Sequence, residues 1–163
     1  MKEVLVIGAG AAGMMAAIRA AQQGCKVTVL EKGRGPGTKL NITGKGRCNV
    51  TNDGDVDTLI RNVPRNGRFL FSAFHGFTSQ DAMAFFEELG VPLKTERGQR
   101  VFPVSDRARD VSGALRDRMH RLGVRVISAR AKEILTEEGK VSGVLTAKGE
   151  RLTAQRVIVA TGG

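Results

Sequence analysis

The chain has no tryptophan and no tyrosine, and its aromatic content of 4% removes most of the ring platforms on which single-stranded nucleic-acid binders stack bases. Cysteine is nearly absent. Cys25 and Cys48 form no CxxC pair and have only His75 and His120 for company, which excludes a disulfide framework and a zinc site and points to a reducing compartment. The apolar stretch VLVIGAGAAGMMAAI is interrupted by Gly8, Gly10 and Gly13 and stopped by Arg19, short of the ~20 residues of a membrane span. A cytoplasmic protein with no membrane segment is expected. Asp53, Asp55 and Asp57 open like a calcium loop, but Thr58 stands where the loop glycine belongs and Pro64 where its last carboxylate belongs, so calcium is rejected.

Glycine is what the chain has in excess, with 21 among 163 residues against 4 prolines. A hydrophobic fraction of 41% and a charged fraction of 26% describe one globular domain. The net charge of +10 comes from both ends of the chain, +6 over residues 1–50 and +5 over 101–163, with −1 between them. Such a charge favours phosphate-bearing partners without deciding the fold.

EVLVI at 3–7 is an uninterrupted apolar run, the pattern of a central strand buried on both faces of a parallel sheet. Residues 11–23 place Met14, Ala17, Ile18 and Ala21 at helical spacing, and Gly24 closes the helix. CKVTVL at 25–30 completes a βαβ unit. Residues 31–52 lose all periodicity, and a loop of that length needs a ligand or a site to justify it. Short helices are expected at 55–63 and 67–74, and better ones at 79–89 and 107–122, the last with Val111, Leu115, Met119 and Leu122 in one stripe. VPLKT and RVFPV within 91–105 read as extended pieces outside the main sheet. VRVI at 124–127 is a strand, and 132–154 reads as a three-stranded antiparallel meander turning at Glu138-Gly139 and Lys148-Gly149. Val157 to Ala160 form a last strand that requires cover on both faces, so further chain is expected beyond residue 163.

Gly8, Gly10 and Gly13 make G-x-G-x-x-G between a strand and a helix, and Glu31 ends the next strand. Gly8 allows the tight turn, Gly10 lets a pyrophosphate approach the backbone, and Gly13 lets helix and strand close together. The unpaired N–H groups of Ala11, Ala12 and Gly13 at the helix start attract phosphate, and Glu31 accepts from both hydroxyls of an adenosine ribose. The motif alone leaves FAD and NAD open. The glycine-rich excursion after Glu31 and the late meander followed by VIVATGG favour a flavin domain over an NAD-dependent dehydrogenase. A third alternative, an RNA-acting flavoprotein, has only the +10 charge in its favour.

Residues 39–52, KLNITGKGRCNVTN, weave Lys39, Asn41, Thr43, Lys45, Arg47 and Asn49 around Gly44 and Gly46, so that backbone N–H groups and cations can face a pyrophosphate or a flavin ring. Arg47 beside Cys48 would favour a thiolate, but no second thiol stands nearby to resolve a disulfide. A packing or cofactor-contact role for Cys48 is expected instead.

VIGAGAAG at 6–13, TGKGRCNVTN at 43–52, GQRVFPVSDRARDV at 98–111 and VIVATGG at 157–163 together resemble the N-terminal part of the HI0933-like family of FAD-dependent oxidoreductases, also known as BaiN or YhiN-type and aminoacetone-oxidase-like flavoproteins. The resemblance spans essentially the whole chain, and G-x-G-R-C-N-x-T-N is its most specific part. It implies an α/β, Rossmann-like FAD-binding domain of glutathione-reductase type, with a parallel sheet and a three-stranded antiparallel meander. Residues 1–163 would be the N-terminal part of that domain, with an inserted substrate-side domain and a C-terminal FAD-domain segment absent. Gly8, Gly10, Ala11, Ala12, Gly13 and Glu31 would hold the ADP half of FAD with Lys32 nearby. Lys39, Gly44, Gly46, Arg47, Cys48 and Asn49 would lie on the pyrophosphate or flavin side. Ala131 would offer its backbone to adenine, and Thr161 and Gly162 would close over the pyrophosphate. NAD(P)H is a possible electron donor, a small molecule the expected substrate, and no catalytic residue is implied. Lys45 and Gln99 depart from the family pattern on the substrate side.

Overall fold

The computed structural model describes residues 1–162. Its elements run β1 (Glu3–Ile7), α1 (Ala11–Gln22), β2 (Lys26–Glu31), β3 (Thr51–Asn52), α2 (Val56–Arg61), α3 (Phe71–Gly76), α4 (Ser79–Glu88), β4 (Leu93–Glu96), β5 (Arg100–Pro103), α5 (Ala108–Arg121), β6 (Arg125–Ser128), β7 (Ala131–Glu137), β8 (Lys140–Thr146), β9 (Arg151–Thr153) and β10 (Arg156–Val159). They divide into two compact units, residues 1–40 with 115 onward, and residues 41–114.

The first unit is built on a four-stranded parallel sheet of order β10-β1-β2-β6. Val4, Leu5 and Val6 of β1 and Val27, Val29 and Leu30 of β2 are buried, as the unbroken apolar runs require of central strands. α1 buries Met14, Ala17 and Ile18 along one stripe, and Gly24, at φ +76°, ends it in the left-handed conformation. The meander is β7-β8-β9, antiparallel, with the two turns where the Glu-Gly and Lys-Gly pairs place them. Val144 of β8 and Ala154 pack with Leu5 and Leu30, and Ile7, Ile127, Ala131 and Val157 surround them. β10 is an edge strand among the described residues, with Val157 and Ile158 half-buried and Val159 60% exposed, because its one neighbour in the sheet is β1.

In the second unit β3, β5 and β4 form a separate antiparallel sheet whose middle strand buries Val101, Phe102 and Pro103. Asp55 caps α2 by accepting from the Thr58 N–H at 2.7 Å, which gives this former calcium candidate a structural task. α4 opens with a reciprocal capping box between Thr78 and Asp81. The helix expected at 67–74 is broken into a 3-10 turn, Gly67–Leu70, and α3. No helix among the described residues is long and apolar enough to cross a membrane.

Leu30 is 1% exposed at the junction of parallel sheet and meander. Leu30→Ala is expected to lower stability by about 2–5 kcal/mol in urea denaturation. A loss below ~1 kcal/mol would show that this junction is not close-packed.

Candidate functional site

The turn between β1 and α1 lies at the carboxyl end of the parallel strands, where the chain reverses its order across the sheet by placing β2 on one side of β1 and β10 on the other. Gly8 has φ +101°, and a Cβ there would lie 2.5 Å from the Ala160 carbonyl oxygen. A Cβ on Gly13 would overlap the Gly8 carbonyl oxygen. These two glycines let three backbone segments touch. Gly10 is different: its φ of −74° suits any residue, and nothing lies within 4 Å of where its Cβ would be. The open space stands at the start of α1, where no side chain caps the helix and no acid occupies the first turn. Ala11 and Ala12 are exposed, so small side chains line the opening. An anionic group fits there, drawn by unpaired N–H groups and the helix dipole.

Glu31 ends β2 beside this turn. Its Oε2 accepts from the Ala9 N–H at 2.8 Å and its Oε1 from the Gly33 N–H at 2.6 Å. The Gly37 N–H donates to the Ala9 carbonyl at 2.8 Å, which folds the loop after β2 back onto the glycine turn. Thr161 places its Cα 3.3 Å from the position a Gly8 Cβ would take, and the Lys39 Nζ lies 4.0 Å from the corresponding position on Gly162. Lys32 is exposed next to Glu31, and Ala131 begins β7, two residues after Ala129, whose N–H donates to the Glu31 carbonyl at 3.0 Å. The first unit therefore gathers Gly8, Gly10, Ala11, Ala12, Gly13, Glu31, Lys39, Thr161 and Gly162 around one turn.

In the second unit Gly44, Gly46, Arg47, Cys48 and Asn49 form a single ribbon. Lys45 and Cys48 take left-handed backbone, φ +57° and +60°, alongside Gly44 and Gly46. Asn49, with its amide nitrogen directed at the Val101 and Thr51 carbonyls (3.1 and 2.9 Å), ties the ribbon to the sheet. Arg47 does more. Its Nε and Nη2 donate to Asp106 Oδ1 at 2.9 and 2.6 Å, and its Nη2 and Nη1 donate to Glu96 at 2.5 and 3.3 Å. The guanidinium lies 4.2 Å over the Phe102 ring, and Lys94 adds a second cation 2.8 Å from Asp106.

This arrangement corrects the expected effect of Arg47 on its neighbour. Cys48 is buried, and burial pushes its thiol up, opposed by a hydrogen bond with Thr43. The guanidinium is spent on Glu96 and Asp106, so it does not activate the thiol. Glu96 is held below the ordinary carboxylate range chiefly by its hydrogen bond from Arg47, and Asp106 by those from Lys94 and then Arg47. Sequence reasoning missed both carboxylates, which lie 49 and 59 positions from Arg47 with no periodic signal linking them.

The parallel sheet, the reversal of strand order and the glycine turn define a Rossmann-like α/β fold of the FAD-binding type. The HI0933-like protein Rossmann domain matches residues 2–163, and the chain belongs to that family. It is 35% identical over its whole length to a 3-dehydro-bile acid delta(4,6)-reductase of Clostridium scindens, covering 39% of that protein. It is 29% identical over 99% of its length to a ribosomal RNA dihydrouridine synthase of Haemophilus influenzae, covering 40% of it. The chain thus spans about two-fifths of these relatives. Among solved structures, the 3-ketosteroid-delta4-(5alpha)-dehydrogenase of Rhodococcus jostii shares the fold at a TM-score of 0.74 and 20% identity, over 99% of this chain and 46% of that one.

Two glycine variants separate binding from folding. Gly10→Ala is expected to leave the urea midpoint unchanged and to weaken dinucleotide binding about tenfold or more by equilibrium titration. Gly13→Ala gains up to ~1 kcal/mol of helix propensity but loses more to the overlap with Gly8, for a net destabilisation of about 1–3 kcal/mol. Equal effects of the two on stability would refute this division.

Glu96 and Asp106 titrate lower in the folded protein than the unfolded value of about 4, so their ion pairs stabilise fully above that pH. The contribution fades as pH falls through the lower folded values. The gap in unfolding midpoint between wild type and Glu96→Gln/Asp106→Asn should be widest at neutral pH and shrink below pH ~4; a gap independent of pH would contradict it.

Proposed function

We propose that the protein is an FAD-dependent oxidoreductase that reduces a carbon–carbon double bond conjugated to a carbonyl group. The observation that carries the cofactor is the open space over Gly10 at an uncapped helix start, with Glu31 at the end of the adjoining strand. The reaction class is supported by two relatives whose names denote adding hydrogen across a double bond, the delta(4,6)-reductase and the dihydrouridine synthase. Held by these residues, FAD would supply the hydride-transfer chemistry that such a reduction needs, with a reduced nicotinamide cofactor as the electron donor and the balancing proton from solvent.

The chain's own residues bind and orient in this reading. The N–H groups of Ala11, Ala12 and Gly13 receive the pyrophosphate, and Gly10 leaves room for it. Glu31 accepts from the ribose hydroxyls, and an acid at this point disfavours a 2′-phosphate there. Lys39, Thr161 and Gly162 flank the phosphates, with Lys32 outside them, and Ala131 offers its backbone to adenine. Gly44, Gly46, Cys48 and Asn49 present backbone to the flavin side. Arg47 contributes by holding that ribbon, since all three of its nitrogens already donate to carboxylates.

Acid release and chromatography of the cofactor from the full-length protein should yield FAD, and recovery of a nicotinamide nucleotide alone would defeat the proposal. Under anaerobic conditions NADH or NADPH should bleach the flavin band, and an α,β-unsaturated ketone should restore it. Glu31→Ala should weaken FAD retention about tenfold.

A further inference from the structure

Along the ribbon of residues 43–49 almost every side-chain donor already has a partner. Thr43 is hydrogen-bonded with the buried Cys48 thiol. Arg47 donates to Glu96 and Asp106, and the Asn49 amide to the Val101 and Thr51 carbonyls. Lys45 is the exception. It is exposed, and its ammonium makes no hydrogen bond or ion pair among the described residues. Its backbone is a second anomaly. At φ +57° and ψ +39° it lies in the left-handed region between Gly44 at φ +55° and Gly46 at φ +85°, a conformation that glycine adopts freely and a lysine only at a cost. Such strain is kept where a side chain has a use.

Reducing a double bond conjugated to a carbonyl builds negative charge on the carbonyl oxygen, and a fixed donor at that oxygen lowers the barrier. The chain has no tyrosine to supply one, the His75 Nδ1 lies 2.9 Å from the Phe71 carbonyl oxygen, and Cys48 is buried. We propose that Lys45 is a catalytic residue, its ammonium donating a hydrogen bond to the carbonyl oxygen of the substrate. The inference rests on the double-bond reduction proposed above and on its reading of the ribbon as the flavin side. A hydride leaving the reduced flavin bonds to the carbon β to the carbonyl, and the π pair of the double bond moves onto the α carbon and the carbonyl oxygen, where Lys45 holds the charge. The α carbon then takes a proton from solvent. The substrate gains two electrons and two hydrogens, the flavin gives up the hydride, and Lys45 ends as it began.

The test uses the full-length, FAD-loaded protein, reduced anaerobically with dithionite and mixed with cyclohexenone while the flavin band is followed. In wild type the band should return. Lys45→Met should slow that return about a hundredfold or more with FAD content unchanged, and Lys45→Arg should recover part of the rate. Lys45→Gly should be as slow as Lys45→Met and should keep or raise the urea midpoint, because glycine relieves the backbone. Binding is read without turnover through p-chlorophenol, whose phenolate oxygen mimics the charged carbonyl oxygen and whose ring stacks on oxidised flavin with a long-wavelength absorption band. Lys45→Met should weaken that binding about tenfold or more. Lys140→Met, the same change at an exposed lysine of the first unit, should alter neither readout by more than about twofold. Reoxidation of Lys45→Met at the wild-type rate, or a clear fall in the midpoint of Lys45→Gly, overturns the proposal. Loss of FAD from Lys45→Met overturns it as well, since the lysine would then be a phosphate ligand. Wild type that holds FAD but is not reoxidised by cyclohexenone overturns the double-bond reduction itself, and the role of Lys45 falls with it; normal reoxidation in both wild type and Lys45→Met overturns the role of Lys45 alone.

Discussion

At the carboxyl end of β1 three backbone segments meet with no space for a side chain between them. The Gly8 carbonyl fills the place a Gly13 Cβ would need, and the Ala160 carbonyl fills that of Gly8. This contact brings the start of α1 onto the edge of the sheet and joins it to the end of β10, where the Ala160 N–H donates to Ile7 at 2.8 Å. The same crowding leaves Gly10 on the outer side of the turn with nothing over it. Below the turn sterics demand glycine because backbone is too near; above it glycine matters because a ligand must come near. A helix start held in this way offers the equivalent of about half a positive charge at a fixed point.

Glu31 belongs to that constraint as much as to any ligand. Its carboxylate ties Ala9 on one side and Gly33 on the other, so the glycine turn and the loop after β2 are anchored to one side chain. A carboxylate has about four lone-pair sites, which leaves two for the hydroxyls of a ribose. One residue can therefore preorganise the turn and still recognise a sugar. In the second unit Arg47 plays a comparable part for the Thr43–Asn49 ribbon. Exposed ion pairs contribute little singly, but a guanidinium shared by two carboxylates and stacked on Phe102 is a network of fixed geometry.

What could be read from the sequence was whatever depends on local spacing. β1, α1 and β2 follow from apolar runs, helical periodicity and glycines, and the meander follows from its two turn pairs. The candidate residues of the first unit converge on one turn because the βαβ unit alone brings most of them together. The unread part was non-local. No pattern connects Arg47 with Glu96 and Asp106, so the ion pairs that hold its guanidinium carry no sequence signal. Left-handed backbone at Lys45 and Cys48 was equally hidden, since glycine marks such positions and these residues do not. β10 carries the apolar run of a strand that requires cover, and with β1 as its one sheet neighbour among the described residues Val159 stays exposed.

The charge of the chain shows why placement outweighs totals. Residues 1–40 and 115–163 hold 16 basic and 7 acidic side chains, a net of +9, whereas residues 41–114 hold 10 and 9. From composition, then, a polyanion would be sent to the first unit, and the scarcity of aromatics would argue against nucleic acid altogether. Within the nearly neutral unit, however, its acids lie elsewhere than between Asp57 and Asp81, and the rings in that interval face solvent. Screening limits the reach of exposed charges to roughly 8–10 Å, so a ligand responds to the local run and not to the sum over the chain. Asp55 shows the limit of counting along the chain: it lies outside that interval, yet Arg61 helps hold its carboxyl below the ordinary carboxylate range, after the hydrogen bonds from Thr58.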